Sequence, residues 1–163
     1  MSGMDPISIA APVFVTDPAD PPGFRASMFR LGTLVGAERT GMSVYELPPG
    51  EQVCPYHYEH GEEEWLLVLD GTVDLRTPEG TRPLIAQDVA FFPRGPKGAH
   101  SVANSSDATA RILMFSNVDA IGVTTYPDSD KVGVWSDAPE GGGMFRRSSS
   151  VEYYDGEGTP LVE

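Results

Sequence analysis

A chain of 163 residues has the length of one ordinary domain, and folding at that size hides roughly 68–70% of the surface that the unfolded chain exposes. With 24 acidic against 11 basic side chains the net charge is -13, a field that repels phosphate backbones and anionic lipid and argues against nucleic acid and membrane as partners. A single cysteine, Cys54, excludes an internal disulfide framework, and no stretch approaches the ~20 apolar residues that span a bilayer, so the expected setting is reducing and cytoplasmic.

Gly 18 and Pro 15 make up about a fifth of the residues, which implies many turns and short elements. The first stretch, "MSGMDPISIAAPVF", has neither a charged n-region nor a long apolar run. Pro6, Pro12, Pro18, Pro21 and Pro22 each remove a backbone donor and fix φ, so residues 1–25 read as an extended arm able to dock as an edge strand. From Ser27 onward, runs such as "SMFRLGTL", "MSVYELPPG", "EWLLVLDG", "TVDLRTPEG", "PLIAQDVAFFPRG", "AHSVANSS" and "ARILMFSNV" are β-branched or aromatic and end in turn residues. This is the rhythm of an all-β fold. Asp70-Gly71 reads as a hairpin turn of type I′, and no segment holds a helical period, although 112–122 is too apolar for periodicity to decide. The glycine-rich, acidic end reads as an irregular tail, giving an arm (1–25), a barrel (26–125) and a C-terminal extension (126–163) in one domain.

The chemistry concentrates in "HYEHGEEEW", residues 57–65. On a strand, positions i and i+2 share a face, so His57 and Glu59 point together while Tyr58 and His60 point away. Glu64 opens the next run and shares its face with Leu66 and Val68; an inward carboxylate is costly unless it is paired or meets a cation. His100, entering a later strand from the turn "RGPKGAH", supplies a further imidazole. Two imidazoles with carboxylates form a mixed nitrogen and oxygen donor set suited to a divalent transition metal. Glu62 and Glu63 read as a solvated turn, and His60 as a surface histidine unless a bulge shifts the register.

"PPGEQVCPYHYEHGEEEWLLVLDG" resembles the first signature of the cupin superfamily, G-x5-H-x-H-x3-4-E-x6-G, and "QDVAFFPRGPKGAHSVAN" is similar to the second, G-x5-P-x-G-x2-H-x3-N. The resemblance places His57 as first ligand, Glu59 in the second histidine's position, Glu64 as the glutamate and His100 as the last histidine, with Gly71, Pro93, Gly95 and Asn104 at motif positions. The departures are six residues between Gly50 and His57, Gln87 in place of a glycine, an added Pro96-Lys97 and the carboxylate at 59. It implies a double-stranded β-helix, a jelly-roll barrel with one metal (iron, manganese, nickel or zinc) on two histidines and one or two glutamates. The reaction it implies is oxygenation or isomerisation of a small molecule. A non-catalytic carrier or sensor with the same barrel is the alternative, since one fold hosts many functions. Glu59 is open as ligand, as partner of an imidazole N–H or as general base.

Tyr58 and Trp65 are candidates for a substrate wall against a plain packing role, as is Tyr56. Arg94 and Lys97 are candidates for receiving an anionic substrate against mere loop solubility, and Cys54 is read as a small buried hydrophobe rather than a nucleophile. A homodimer is implied by the resemblance, and by the arm if it adds to a neighbour's sheet edge.

Overall fold

The computed structural model describes residues 6–136 and 141–158. Its strands follow the β-branched and aromatic runs: β1 (Ser27–Arg30), β2 (Thr40–Leu47), β3 (Tyr58–Glu59), β4 (Glu64–Asp70), β5 (Thr72–Thr77), β6 (Gly80–Ile85), β7 (Val89–Phe92), β8 (Ser101–Ala103), β9 (Ala110–Asn117), β10 (Ile121–Tyr126), β11 (Lys131–Ser136) and β12 (Gly143–Arg146). They assemble into antiparallel sheets in the orders β1-β2-β9-β4-β7, β12-β11-β10-β3 and β6-β5-β8, the jelly-roll architecture of a double-stranded β-helix. No helix among the described residues is long and apolar enough to cross a membrane.

Alternation explains the core. Leu66 and Val68 project from one face of β4, and their partners Met114 and Ile112 on β9 share that face, as do Ala90 on β7 and Leu47 on β2. Val73, Leu75, Leu84 and Val102 close the core from the three-stranded sheet. Each fully buried aliphatic side chain here contributes about 1.5–3 kcal/mol relative to exposure. Asn104 is buried within this shell. Its Nδ2 donates to the carbonyls of Leu47 and Ala108, each at 2.7 Å, and its Oδ1 accepts from the backbone N–H of Ser106 at 2.9 Å.

Asp70-Gly71 is not a hairpin turn, contrary to the sequence expectation. β4 pairs with β7 and β9 whereas β5 pairs with β6 and β8, so the chain passes from one sheet to another at this dipeptide. Gly71 has φ 77° but Asp70 does not share the left-handed region, and a type I′ turn needs both. Glycine is required there also by contact, because a Cβ would stand 3.0 Å from Ala110 Cα. The tight hairpin lies one strand later, where Thr77 pairs with Gly80 across Pro78-Glu79.

Two further departures are local. The run expected as one strand from Ser27 stops at Arg30 and turns into a single helical turn, α1 (Leu31–Val35), closed by Gly36 at φ 70°. Regular pairing also runs further toward the C-terminus than composition suggests, because β11 and β12 extend the sheet of β10. The arm docks on its own chain: Val15 and Met28 exchange N–H···O bonds of 2.9 and 2.8 Å. Residues 1–5 of the arm, and 137–140 and 159–163 of the C-terminal extension, lie outside the described residues.

Candidate metal centre

The site is assembled where β3 and β8 begin. His57 and His100 form an isolated antiparallel bridge, with His57 N–H donating to the His100 carbonyl at 3.0 Å and His100 N–H to the His57 carbonyl at 2.8 Å. Backbone pairing therefore sets two imidazoles side by side, their centroids 4.6 Å apart. His57 is 7% exposed and His100 2%. Nδ1 of His57 lies 2.9 Å from the Pro55 carbonyl oxygen and Nδ1 of His100 lies 2.9 Å from that of Gly98. A carbonyl only accepts, so each Nδ1 carries the proton and each Nε2 keeps its lone pair for the interior. The loop geometry depends on Gly98, where a Cβ would overlap the Pro93 carbonyl at 1.7 Å.

Glu64 enters from β4 on the face of Leu66 and Val68, as alternation requires. Its Oε2 lies 3.9 Å from His57 Nε2 and 3.6 Å from His100 Nε2, and donor atoms of the three residues all fall within 4.8 Å of one another. Phe92 stacks on the His100 ring at 3.7 Å, and Tyr126 on the His57 ring at 5.9 Å. Glu59 stands beside this set: Oε1 is 3.7 Å from His57 Nε2. The Thr124 hydroxyl reaches Glu59 Oε1 at 2.9 Å and Oε2 at 2.8 Å, while the Trp135 indole Nε1 donates to Thr124 Oγ1 at 3.0 Å. An indole N–H only donates, which leaves the single Thr124 proton for the Glu59 carboxylate.

Burial dominates the electrostatics. It pushes Glu64 up to about 8, with the charges of Glu59 and Glu62 adding to the effect. It pushes Glu59 up to about 7 against the opposing Thr124 hydrogen bond. Burial takes His100 down to about 3, helped by His57, and lowers His57 against its bonds to backbone carbonyls. The close His–Glu approaches are accordingly not ion pairs near neutral pH: the imidazoles are neutral and Glu64 holds its proton. Such a pocket has acceptor lone pairs converging on one point and no positive charge of its own. Ligands about 2.0–2.2 Å from one metal ion stand roughly 3–4 Å from each other, so the spacing and the nitrogen/oxygen chemistry of His57, Glu64 and His100 fit a divalent transition metal.

The remaining sequence candidates fall elsewhere. Tyr58 lies on the opposite face of β3 and meets His60, ring to ring, at 5.2 Å; His60 Nε2 is 2.9 Å from Thr125 Oγ1. Trp65 faces away from Glu64, 45% exposed, with its ring 4.7 Å from Phe91. Arg94 and Lys97 are exposed in the loop before His100. Tyr56 lies under the Arg76 guanidinium at 3.9 Å. Cys54 Sγ is 3.5 Å from His57 Nδ1, and burial holds its thiol up at about 12, which keeps it protonated. Thr124, Trp135 and Tyr126 were not legible as site residues, since they reach it through pairing between positions 59 and 124.

Residues 43–116 match the sequence model of the cupin domain. No curated protein matches the chain significantly. Among solved structures, a protein from Acidithiobacillus ferrooxidans to which sugar phosphate isomerase activity is ascribed is 25% identical with a TM-score of 0.73, the match covering 80% of this chain and 82% of that one. A cupin-superfamily sugar phosphate isomerase from Silicibacter pomeroyi is 23% identical with a TM-score of 0.78, covering 93% and 98%. A polyketide cyclase from Streptomyces resistomycificus is 24% identical with a TM-score of 0.54, covering 65% and 75%.

Proposed function

We propose that this chain, whose residues 43–116 match the cupin domain, is a cupin and acts as a metal-dependent isomerase of a small hydroxycarbonyl compound. One observation carries the reading: a second, partly buried carboxyl, Glu59, stands 3.7 Å from His57 Nε2 beside the three-donor cluster, tethered by Thr124 and lining a cavity. His57, Glu64 and His100 would hold iron, manganese, nickel or zinc, which when bound supplies Lewis-acid polarisation of a carbonyl oxygen. Glu59 is the proton carrier in this reading. Its carboxyl, held near 7, takes in its ionised form the proton from the hydroxyl-bearing carbon beside the carbonyl and returns it to the carbonyl carbon, while the hydroxyl proton passes to the former carbonyl oxygen. Thr124 keeps both carboxylate oxygens in place, and Phe92 and Tyr126 shield the imidazoles from water. The isomerase activity ascribed to the relative from Acidithiobacillus ferrooxidans supports the choice of reaction.

A second reading has a specific basis, because two histidines and one carboxylate are also the donor set of non-haem iron oxygenases. The homodimer belongs to the proposal as well; the half-exposed Trp65, Phe91 and Val89 supply an outward apolar surface for it, and sedimentation mass reads it directly. Metal analysis of the wild type, His57→Ala and His100→Ala tests the first step, with metal lost in both variants and equal metal in all three refuting it. Glu59→Gln then retains metal and loses about 10²–10⁴-fold in solvent-deuterium exchange into substrate. Dioxygen consumption without such exchange overturns isomerisation in favour of oxygenation.

A further inference from the structure

Glu59 has a second side. Glu59, Thr124, Gly133, Trp135 and Met144 share one face of the β3-β10-β11-β12 sheet through the pairs Thr124–Glu59, Thr124–Gly133 and Gly133–Met144. Beyond Glu59 this face bounds a cavity of about 520 Å³, whose lining includes Trp135 and Met144 together with Glu59, Glu62 and Asp119. The Trp135 ring lies over Gly133, where a Cβ would stand 3.1 Å from the indole, and the Nε1 bond to Thr124 fixes its orientation. Half of its surface remains exposed. Glu62 is held in turn by the Asp119 N–H, which donates to its Oε1 at 3.3 Å.

We infer that this cavity is a subsite for an unphosphorylated polyhydroxylated ligand, a free sugar or polyol, whose ring packs on Trp135 and whose hydroxyls donate to Glu62 and Asp119. The volume is in the range of small-molecule pockets. Ionised carboxylates only accept, so they select a ligand rich in donors. A flat indole face pairs with the apolar C–H face of a sugar while the ring edges stay polar. Among the described lining residues there is no Lys or Arg, and a phosphate dianion placed here meets three carboxylates and no cation. The inference rests on the isomerase reading for the role of Glu59, and it departs from the phosphorylated substrates named for the structural relatives.

The test is direct binding. In a Trp65→Phe background, Trp135 is the one remaining tryptophan of two, and its emission reports occupancy. Free aldoses and ketoses are titrated against their phosphate monoesters and against an alkylamine without hydroxyls, with calorimetry on the parent protein. At least one free sugar is expected to bind about tenfold more tightly than its phosphate ester, and to lose about tenfold in Trp135→Ala and severalfold in Glu62→Gln. Trp135→Phe, which keeps an aromatic face, retains part of the affinity and serves as the control for folding. Asp119→Lys is expected to narrow the gap between sugar and ester. Phosphate esters binding as tightly as their parents, the amine binding better than every sugar, no sugar binding, or affinity unmoved by both Trp135 substitutions each overturns the subsite. Metal content is measured on the same samples. Sugar binding that depends on Trp135 in a protein that takes no metal keeps the subsite and ends the isomerase reading; a metal-loaded protein that binds no sugar does the reverse.

Discussion

Removing the buried acid by Glu64→Gln in metal-free protein tests the electrostatics of the centre most sharply. In the fold Glu64 sits at about 8 against 4.5 for the free group, so above pH 4.5 the native state binds more protons than the unfolded one and stability falls with pH until about 8. His100 acts in the opposite sense: held at about 3 against 6.5, it makes the native state bind fewer protons, so stability rises with pH up to 6.5. The two slopes offset between pH 4.5 and 6.5. Above 6.5 the Glu64 slope stands with a smaller share from Glu59, which ends near pH 7. At about 1.36 kcal/mol per pH unit, the descent attributable to Glu64 from pH 6.5 to 8 is about 1.5–2 kcal/mol. Urea unfolding of chelator-treated protein across pH 5–8.5 measures it. The wild type is expected to weaken from pH 6.5 toward pH 8, and Glu64→Gln, which cannot titrate, to lose most of that descent. A wild-type curve that is level or climbs from pH 6.5 to 8, or a variant with an unchanged descent, refutes the reasoning. Added metal needs the ionised carboxylate, so its binding at pH 7 releases protons and its affinity strengthens as pH rises toward 8, which calorimetry in buffers of different ionisation enthalpy reads.

Other substitutions examine the scaffold. Asn104→Ala strands the carbonyls of Leu47 and Ala108 in a buried site and is expected to cost about 2–4 kcal/mol in chemical denaturation. Gln87 has φ 78°, a conformation that burdens a residue with a Cβ, so Gln87→Gly is expected to stabilise by about 0.5–1 kcal/mol and to raise Tm by roughly 1–4 °C. Cys54, whose thiol is held at about 12, is expected to react with a thiol reagent at pH 8 far more slowly in native than in urea-unfolded protein, and equal rates contradict that burial.

What local sequence determines here is whatever depends on neighbours two or three positions apart. The alternation Glu64, Leu66, Val68 puts a carboxylate on the core face, the proline and glycine positions mark where strands stop, and Gly71 needs its special conformation whichever strands it joins. The order His57, Glu64, His100 in two motif windows was enough to name candidates for one cluster. Local chemistry did not reveal which strands pair. Asp70-Gly71 carries hairpin chemistry, yet β4 gains more by lying between β7 and β9, where both its neighbours bury Leu66 and Val68, than by folding back on β5. Trp65 looked like a site residue from its nearness to Glu64, but adjacent positions on a strand face opposite ways, and pairing with β7 turned it toward Phe91. Glu59 acquires its hydrogen bonds from Thr124, and through it from Trp135, only because β3 pairs with β10 and β10 with β11. Contacts across 65 residues depend on the register of whole sheets, which burial summed over the core selects and no short window of sequence contains.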